Sequence, residues 1–314
     1  MQVYYNIEDV PKDNNTVITV GTFDGVHLAH RHIIENVIEL AKRNKGRSLV
    51  VTFDPHPQEV LKTKSPDIKL LSSLNEKLGI LESIGTDAVL VIKFNEEFSK
   101  TQARDFYEKI ICGKIGIKDL VVGYDHLFGR NREGDFEMLK SLGGEFGFEV
   151  HRLDEIDIEG KPVSSTRIRR AMAEGKIDEA NRLLGYEYGF EGIVVDGDKV
   201  GRTIGFPTAN LKPVKENKVM PNDGIYSVRV IFGGENYFGM MYLGYRPTLT
   251  EGKVRAMEVN IFDFDKKVYG EALRICYLVR LRDDKKFDSK EALIAQIVKD
   301  KEDSLNYVRI NKKS

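Results

Sequence analysis

The sequence predicts a chain of class α/β followed by all-β. A doubly wound parallel sheet comes first, then a small antiparallel β-barrel with a C-terminal helix. Three observations predict it. Through residues 1–184, short β-branched runs alternate with helical periodicity, the pattern of βαβ units. From residue 187 onward, strands follow one another through Gly, Asn and Asp turns, mostly without helices between them. A chain of 314 residues also exceeds one comfortable core, so two domains, 1–184 and 187–314, are expected.

In the first domain, "TVITV" (16–20), "SLVVTF" (48–53), "AVLVI" (88–92), "DLVVGY" (119–124) and "FEVHRL" (148–153) read as buried strands. Leu28, Ile33, Ile34, Val37, Ile38 and Ala41 mark a helix after the first of them. "SLNE" (73–76) opens another, with Ser73 and Glu76 as a capping box. Ligands of such sheets bind beyond the carboxyl ends of the strands. In the second domain, "FEGIVVDG", "IYSVRVIF", "NYFGMMYLG", "AMEVNIFDF" and "ALRICYLVRL" read as strands. The segment 288–308 reads as a terminal helix capped by Asp288 and Glu291.

Composition excludes several classes. Lys and Arg (48) balance Asp and Glu (49), so no global field recruits nucleic acid or an anionic membrane, and any anion site must be local. Two cysteines, Cys112 and Cys276, make neither a disulfide framework nor a zinc site, which fits a reducing, cytoplasmic setting. The N-terminal segment lacks the charge and apolar pattern of a signal peptide, and no run reaches membrane-span length.

A local anion site is what two stretches suggest. "SSTRIRRAMAEG" (164–175) starts a helix with Ser164 or Ser165 as N-cap and Ile168, Ala171 and Met172 as its apolar stripe. Arg167, Arg169 and Arg170 fall in its first turns, where the helix dipole disfavours cations, so a bound anion is expected there. On that reading Arg167→Ala is neutral or slightly stabilising when no anion is bound. "GTFDGVHLAH" (21–30) sets His27 and His30 three apart where a strand-exit turn enters a helix, a place suited to phosphate. Surface histidines at an ordinary corner would read the same way, and no further ligand stands nearby for a metal site. Asp125, past the fourth strand, serves the nucleotide, a metal or simply a turn. A rigid Pro-flanked turn accounts for His56 without chemistry.

In the second domain "GDKVGRTIGFPTANL" (197–211) is Gly-rich without being a Walker loop. A hairpin with a long loop is the plain reading. Gly201 and Gly205 also allow close backbone approach to phosphate. Thr208 and Asn210 point the same way if "TAN" is extended, offering two oxygens to Mg²⁺.

Taken in order, "GTFDGVHLAH", "VTFDPHP", "GYDHLFGRNREGD" and "SSTRIR" resemble the adenylyltransferase half of bacterial bifunctional riboflavin kinase/FAD synthetases, within the nucleotidylyltransferase superfamily. "GRTIGFPTANL", "PNDGIYSV", "GYRPTL" and "MEVNIFDFD" resemble the riboflavin kinase family, so the resemblance spans nearly the whole chain. It implies ATP-dependent phosphorylation of riboflavin to FMN, then adenylylation of FMN to FAD, with Mg²⁺ bridging phosphates. His27 and His30 would stabilise the α-phosphate. Gly21, Phe23, Asp24, Asp125, Ser164, Ser165, Thr166, Arg167 and Arg169 would bind ATP in the adenylyltransferase. In the kinase, Gly201, Gly205, Pro207, Thr208 and Asn210 would bind ATP, Thr208 and Asn210 would hold Mg²⁺, and Glu258 would be the general base. Riboflavin, FMN and ATP are the implied partners, with no protein partner, nucleic acid or membrane.

Three positions depart from the family's pattern. Ala29 replaces a Gly between the histidines, Asn260 stands where His is more usual, and Leu243 where Asn is common. Ala29 is expected in the first turn of the helix, since the preceding turn already supplies flexibility. A non-catalytic flavin or nucleotide sensor, and a nucleotidylyltransferase for another acceptor, are the rival readings. The His pair, Glu258 and the P-T-A-N run disfavour the first, and the fused kinase pattern the second.

Overall fold

The computed structural model describes residues 1–61, 68–124, 129, 134–197, 200–245 and 255–311. The chain packs as two compact units, Met1–Ser165 and Thr166–Ser314.

The first unit is a six-stranded parallel sheet in the order β1-β4-β3-β2-β5-β6. Its strands are β1 (Gln2–Tyr4), β2 (Val17–Val20), β3 (Ser48–Asp54), β4 (Ala88–Lys93), β5 (Asp119–Gly123) and β6 (Glu149–Leu153). The helices are α1 (Leu28–Asn44), α2 (Pro57–Leu61), α3 (Leu74–Ile84), α4 (Ala103–Asp105, running into a π-helical stretch Phe106–Ile115) and α5 (Phe136–Phe146). Both faces are covered, as the apolar strand runs predict. Leu49, Val51, Leu90 and Ile92 pack against Tyr107 and Ile111. Their neighbours Val50, Val89 and Val91 pack on the other face against Ile34, Ile38 and Leu81. Each such aliphatic side chain, fully buried, contributes about 1.5–3 kcal/mol.

All five expected strands are present. The edge strand β1 was not foreseen, because three residues carry too little pattern; its parallel pairing with β4 makes it a strand. The capping box of α3 is present as expected, with Ser73 and Glu76 satisfying each other's backbone amides. β2 pairs with β3 on one side and β5 on the other, so the chain reverses its winding at β2. The carboxyl end of β2 is therefore the switch point where doubly wound sheets bind ligands. A small hairpin, β7 (Asp157–Ile158) and β8 (Lys161–Pro162), precedes α6 (Ser165–Ala173).

The second unit continues α6 and holds α7 (Ile177–Leu184) and a closed antiparallel barrel in the order β10-β13-β12-β11-β14-β9. Its strands are β9 (Gly189–Val195), β10 (Ala209–Pro213), β11 (Gly224–Phe232), β12 (Glu235–Tyr245), β13 (Arg255–Ile261) and β14 (Ala272–Arg282). The five expected strands hold, and β10, which takes in Ala209, Asn210 and Leu211 of "TANL" but not Thr208, supplies the sixth, closing the barrel. Buried Tyr226, Val228, Val230, Met241, Leu243, Val259, Ile275 and Tyr277 fill its interior at alternate positions. Leu243 thus belongs to the barrel core.

The terminal helix α9 (Lys290–Asn311) lies against the barrel, where Ser304 and Ser227 share a buried hydroxyl–hydroxyl bond of 2.7 Å. Its N-cap differs from the expectation. Ser289, not Asp288, accepts the Ala292 amide, at 3.1 Å, because the helix begins one residue later than the Asp288–Glu291 spacing requires.

Candidate functional site

The first site grows from the turn between β2 and α1. Phe23 (φ +46°), Gly25 (φ +82°) and Val26 (φ +38°) all take left-handed backbone, a strained turn for two non-glycine residues. Burial holds it there: Phe23, Asp24 and Val26 are each shielded from solvent. The Phe23 ring lies so close over Gly21 that a side chain at Gly21 would meet it at 3.0 Å.

Asp24 ties the turn to a distant loop, accepting the Leu71 amide at 3.0 Å and the Ser72 amide at 3.0 Å, while the Ser72 hydroxyl accepts the Gly25 amide at 2.9 Å. The Ser165 hydroxyl donates to the Asp24 carbonyl oxygen at 3.0 Å. Turn and motif serine therefore meet directly. Ser164 immediately precedes the helix that Ser165 begins.

His27 is the N-cap of α1, its Nδ1 accepting the His30 amide at 3.4 Å. The two imidazoles stack with centroids 3.6 Å apart and planes 16° from parallel, and the Phe23 ring meets His30 edge-on at 5.2 Å. Burial, then His27, then Lys77 push the His30 imidazole well below its usual range. The unfolded chain takes up that proton at ordinary imidazole pH and the folded chain does not, so stability falls as pH drops below about 6.5. Ala29 sits within the first turn of α1, as expected.

Arg167 changes one expectation. Its side chain is 7% exposed, and its Nε donates to Glu179 of α7 at 3.1 Å. A carboxylate of the protein thus already partners this cation, offsetting the helix dipole without any bound anion. Arg167→Ala leaves a part-buried carboxylate without this charge-assisted bond and is expected to lower ligand-free stability by about 1–3 kcal/mol. A denaturant midpoint shift checks this, and an unchanged midpoint would restore the sequence-based expectation. Thr166 and Arg169 follow in α6. Asp125 lies outside the described residues.

The second site lies on the outer face of the barrel. β9 and β10 pair antiparallel, so the plain hairpin reading of "GDKVGRTIGFPTANL" is also correct. Its loop carries a short helix, α8 (Val200–Thr203). Gly201 accepts the Phe206 amide at 2.9 Å, and a Cβ at Gly201 would fall 2.3 Å from the Phe206 carbonyl oxygen. Only glycine permits that closure, which presents Pro207 and Thr208; Gly205 completes it at φ +84°.

Asn210 of β10 stands directly across from Glu258 of β13, and the Thr208 hydroxyl donates to Glu258 Oε2 at 3.1 Å. The Asn210 amide occupies space that any side chain at Gly197 would fill, 2.0 Å from the Cβ position. A hydroxyl, an amide oxygen and a carboxylate are gathered there, a hard-oxygen donor set suited to Mg²⁺. On the other side Glu258 faces Tyr242 of β12, whose hydroxyl donates to Asp284 at 3.1 Å. Asn260 is buried, and its Nδ2 donates to the Pro207 carbonyl oxygen at 2.7 Å. It thereby anchors the loop that presents Thr208.

Sequence reading missed Lys77, Tyr242 and Asp284. Lys77 was legible as a charge inside the apolar stripe Leu74, Leu78, Leu81 of α3. Tyr242 and Asp284 carried no such signal, since only barrel closure and the fold of the loop after β14 bring them together. Another cluster, Asp119, Glu149 and His151, lies at the amino ends of β5 and β6, with His151 Nε2 2.6 Å from Asp119 Oδ1. Asn44 bonds the second Asp119 oxygen, so a hydrogen-bonded tie accounts for it.

A strained turn at the switch point of a parallel sheet, carrying a stacked histidine pair, and a hydroxyl–carboxylate pair on a closed barrel are an arrangement that suits a nucleotide-using transferase of two modules. Residues 9–167 match the FAD synthetase family and residues 184–308 the riboflavin kinase family. A bifunctional riboflavin kinase/FMN adenylyltransferase of Listeria monocytogenes is 38% identical over 93% of this chain and 92% of its own length. The protein so named in Escherichia coli K12 is 35% identical over 94% and 93%. The chain belongs to the bifunctional riboflavin kinase/FMN adenylyltransferase family. A crystal structure described as a macrolide-efflux protein from Streptococcus pneumoniae also has this fold, with a TM-score of 0.88, 33% identity and coverage of 97% and 98%. Among the described residues of the present chain, no helix is long and apolar enough to cross a membrane.

Proposed function

We propose that the barrel unit phosphorylates riboflavin with ATP, giving FMN and ADP, and that the parallel-sheet unit adenylylates FMN with a second ATP, giving FAD and pyrophosphate. The observation that carries this reading is the tandem match of the two units to the FAD synthetase and riboflavin kinase families. As functional halves we assign 1–184 and 187–314, which keeps the whole Ser/Thr–Arg motif with the adenylyltransferase.

In the kinase half, Glu258 accepts the proton of the riboflavin 5′-hydroxyl as its oxygen bonds the γ-phosphorus. Gly201, Gly205 and Pro207 shape the loop that receives ATP, and the Asn260 contact holds that loop in place. Thr208 and Asn210 hold Mg²⁺, which when bound neutralises phosphate charge.

In the adenylyltransferase half, an FMN phosphate oxygen attacks the α-phosphorus and pyrophosphate leaves. His27 and His30 stabilise the charge that develops on the α-phosphate. Ser164 and Ser165, at a helix start, receive the departing phosphates, and Thr166, Arg167 and Arg169 extend that motif. Gly21, Phe23 and Asp24 act through the turn they build, Asp24 by fixing it to Leu71 and Ser72. The free Cys112 and Cys276 fit a reducing, cytoplasmic setting.

Incubation with riboflavin and Mg²⁺–ATP, resolving flavins, ADP and pyrophosphate over time, tests the assignment. FMN should rise first and FAD follow, each with its own leaving product. Flavin binding without ADP or pyrophosphate would instead mark a non-catalytic sensor.

A further inference from the structure

The helix α7 takes no part in the steps above, yet it is held on more than one side. Ile177, Ala180, Leu183 and Leu184 bury one face of it. Asn181 closes it onto the barrel: Nδ2 donates to the Tyr277 carbonyl oxygen of β14 at 2.9 Å, and Oδ1 accepts the Tyr188 amide at 2.7 Å. Those groups stand at the end of the β9–β14 ladder, where the Tyr277 amide also donates to the Tyr188 carbonyl at 2.8 Å. One side-chain amide thus serves a donor and an acceptor at the ladder's end. The connection from α6 is as close. A Cβ at Gly175 (φ +70°) would fall 2.8 Å from Arg280 Nε, and the Asn222 amide donates to the Met172 carbonyl of α6 at 3.0 Å. Both helices are therefore built on the barrel.

Glu179 is what α7 offers to the phosphate motif. It lies two positions from Asn181, so the two side chains leave the helix in different directions. Its Oε1 accepts the Arg167 Nε–H at 3.1 Å, with Arg167 buried and Glu179 partly so. A guanidinium is a rigid planar fork, and fixing its Nε edge fixes where the terminal nitrogens point. A side chain ordered in advance loses little freedom when its anion arrives. The carboxylate also subtracts from the positive charge an anion would meet, so what it contributes to phosphate binding is orientation.

We propose that Glu179 is a positioning residue for adenylyl transfer: seated on the barrel with α7, it holds Arg167 by the Nε edge so that the guanidinium meets the β- and γ-phosphates of ATP, and the departing pyrophosphate, in one orientation. This rests on the assignment of Arg167 to the phosphate motif.

The experiment measures both directions of the step, FAD formation from FMN and ATP and its reversal by pyrophosphate. It uses full-length wild type, Glu179→Ala, Glu179→Asp, Glu179→Gln and Arg167→Ala. FMN formation from riboflavin by the same chains is the internal control. Arg167→Ala should raise KM for ATP and for pyrophosphate about 10–100-fold, the loss of a charge-assisted contact. Glu179→Ala keeps the cation but frees it, and should raise the same two constants about 3–10-fold, the cost of ordering one long side chain on binding. KM for FMN and for FAD should hold, and the kinase step should be unaffected. Glu179→Gln keeps an oxygen for Nε and removes the competing charge, so it should stay near the wild-type values or bind pyrophosphate more tightly. Glu179→Asp, one methylene short of the contact, should resemble the Ala variant and decides the matter if that variant does not fold.

Wild-type KM for ATP and pyrophosphate in the folded Ala variant, or in Asp in its place, would overturn the proposal alone, provided Arg167→Ala raises both. A rise shared by FMN and FAD, the mark of a merely structural tie, would overturn it too, as would a Gln variant impaired as much as Ala. If Arg167→Ala leaves both constants unchanged, the assignment of the motif itself falls, and Glu179 with it.

Discussion

Glu258→Gln is expected to lower FMN formation from riboflavin by about 10²–10⁴-fold, the range associated with losing a positioned general base. Conversion of supplied FMN to FAD should continue. The substitution separates chemistry from structure, because a Gln oxygen can still accept the Thr208 hydroxyl that now reaches Glu258 at 3.1 Å. The capacity to take a proton is removed together with the negative charge of the carboxylate. Assaying the two steps separately on one preparation checks the result. A variant that still phosphorylates riboflavin at the wild-type rate would place the base elsewhere, and one that is folded but has lost both steps would show that the halves do not act separately.

Removing the imidazole pair should do the reverse, reducing FAD formation by about 10²–10³-fold for each lost phosphate donor while FMN formation persists. The choice of variant follows from the geometry. His27 caps α1, and Ala there would also cost about 1 kcal/mol of helix stability. Asn is a good N-cap without an imidazole, so His27→Asn with His30→Ala isolates the chemistry. Single-turnover FAD formation, with thermal stability recorded alongside, distinguishes the outcomes. A stable double variant that makes FAD normally would remove both histidines from the mechanism.

What could be read without a structure follows a physical division. Strands buried on both faces write continuous apolar runs into the chain, and all five were legible in the first unit. Capping at Ser73 and the N-terminal start of α1 were legible too, because they depend on residues within one turn of each other. The barrel strands announced themselves by their turns. The three-residue β1 did not, since its pairing with β4 is the whole reason it is a strand.

Residue types and order alone determined the family, the reaction class and the candidates His27, His30, Thr208, Asn210 and Glu258, because short motifs carry local chemistry. Tertiary structure decided what those residues touch. It placed Glu179 beside Arg167, turning a cation thought to await an anion into a partnered one. It brought the Asp24 carboxylate onto the Leu71 and Ser72 amides, set Asn260 under Pro207 and buried Leu243 in the barrel. It also slid Lys77 beneath the turn that carries the histidines. In each case the partner is distant in sequence, or lies on an element whose packing no local pattern encodes. Burial also changes what a charge does: the same lysine is a solvated surface group on an isolated helix and a buried donor to the Thr22 carbonyl once the sheet, α1 and α3 close around it.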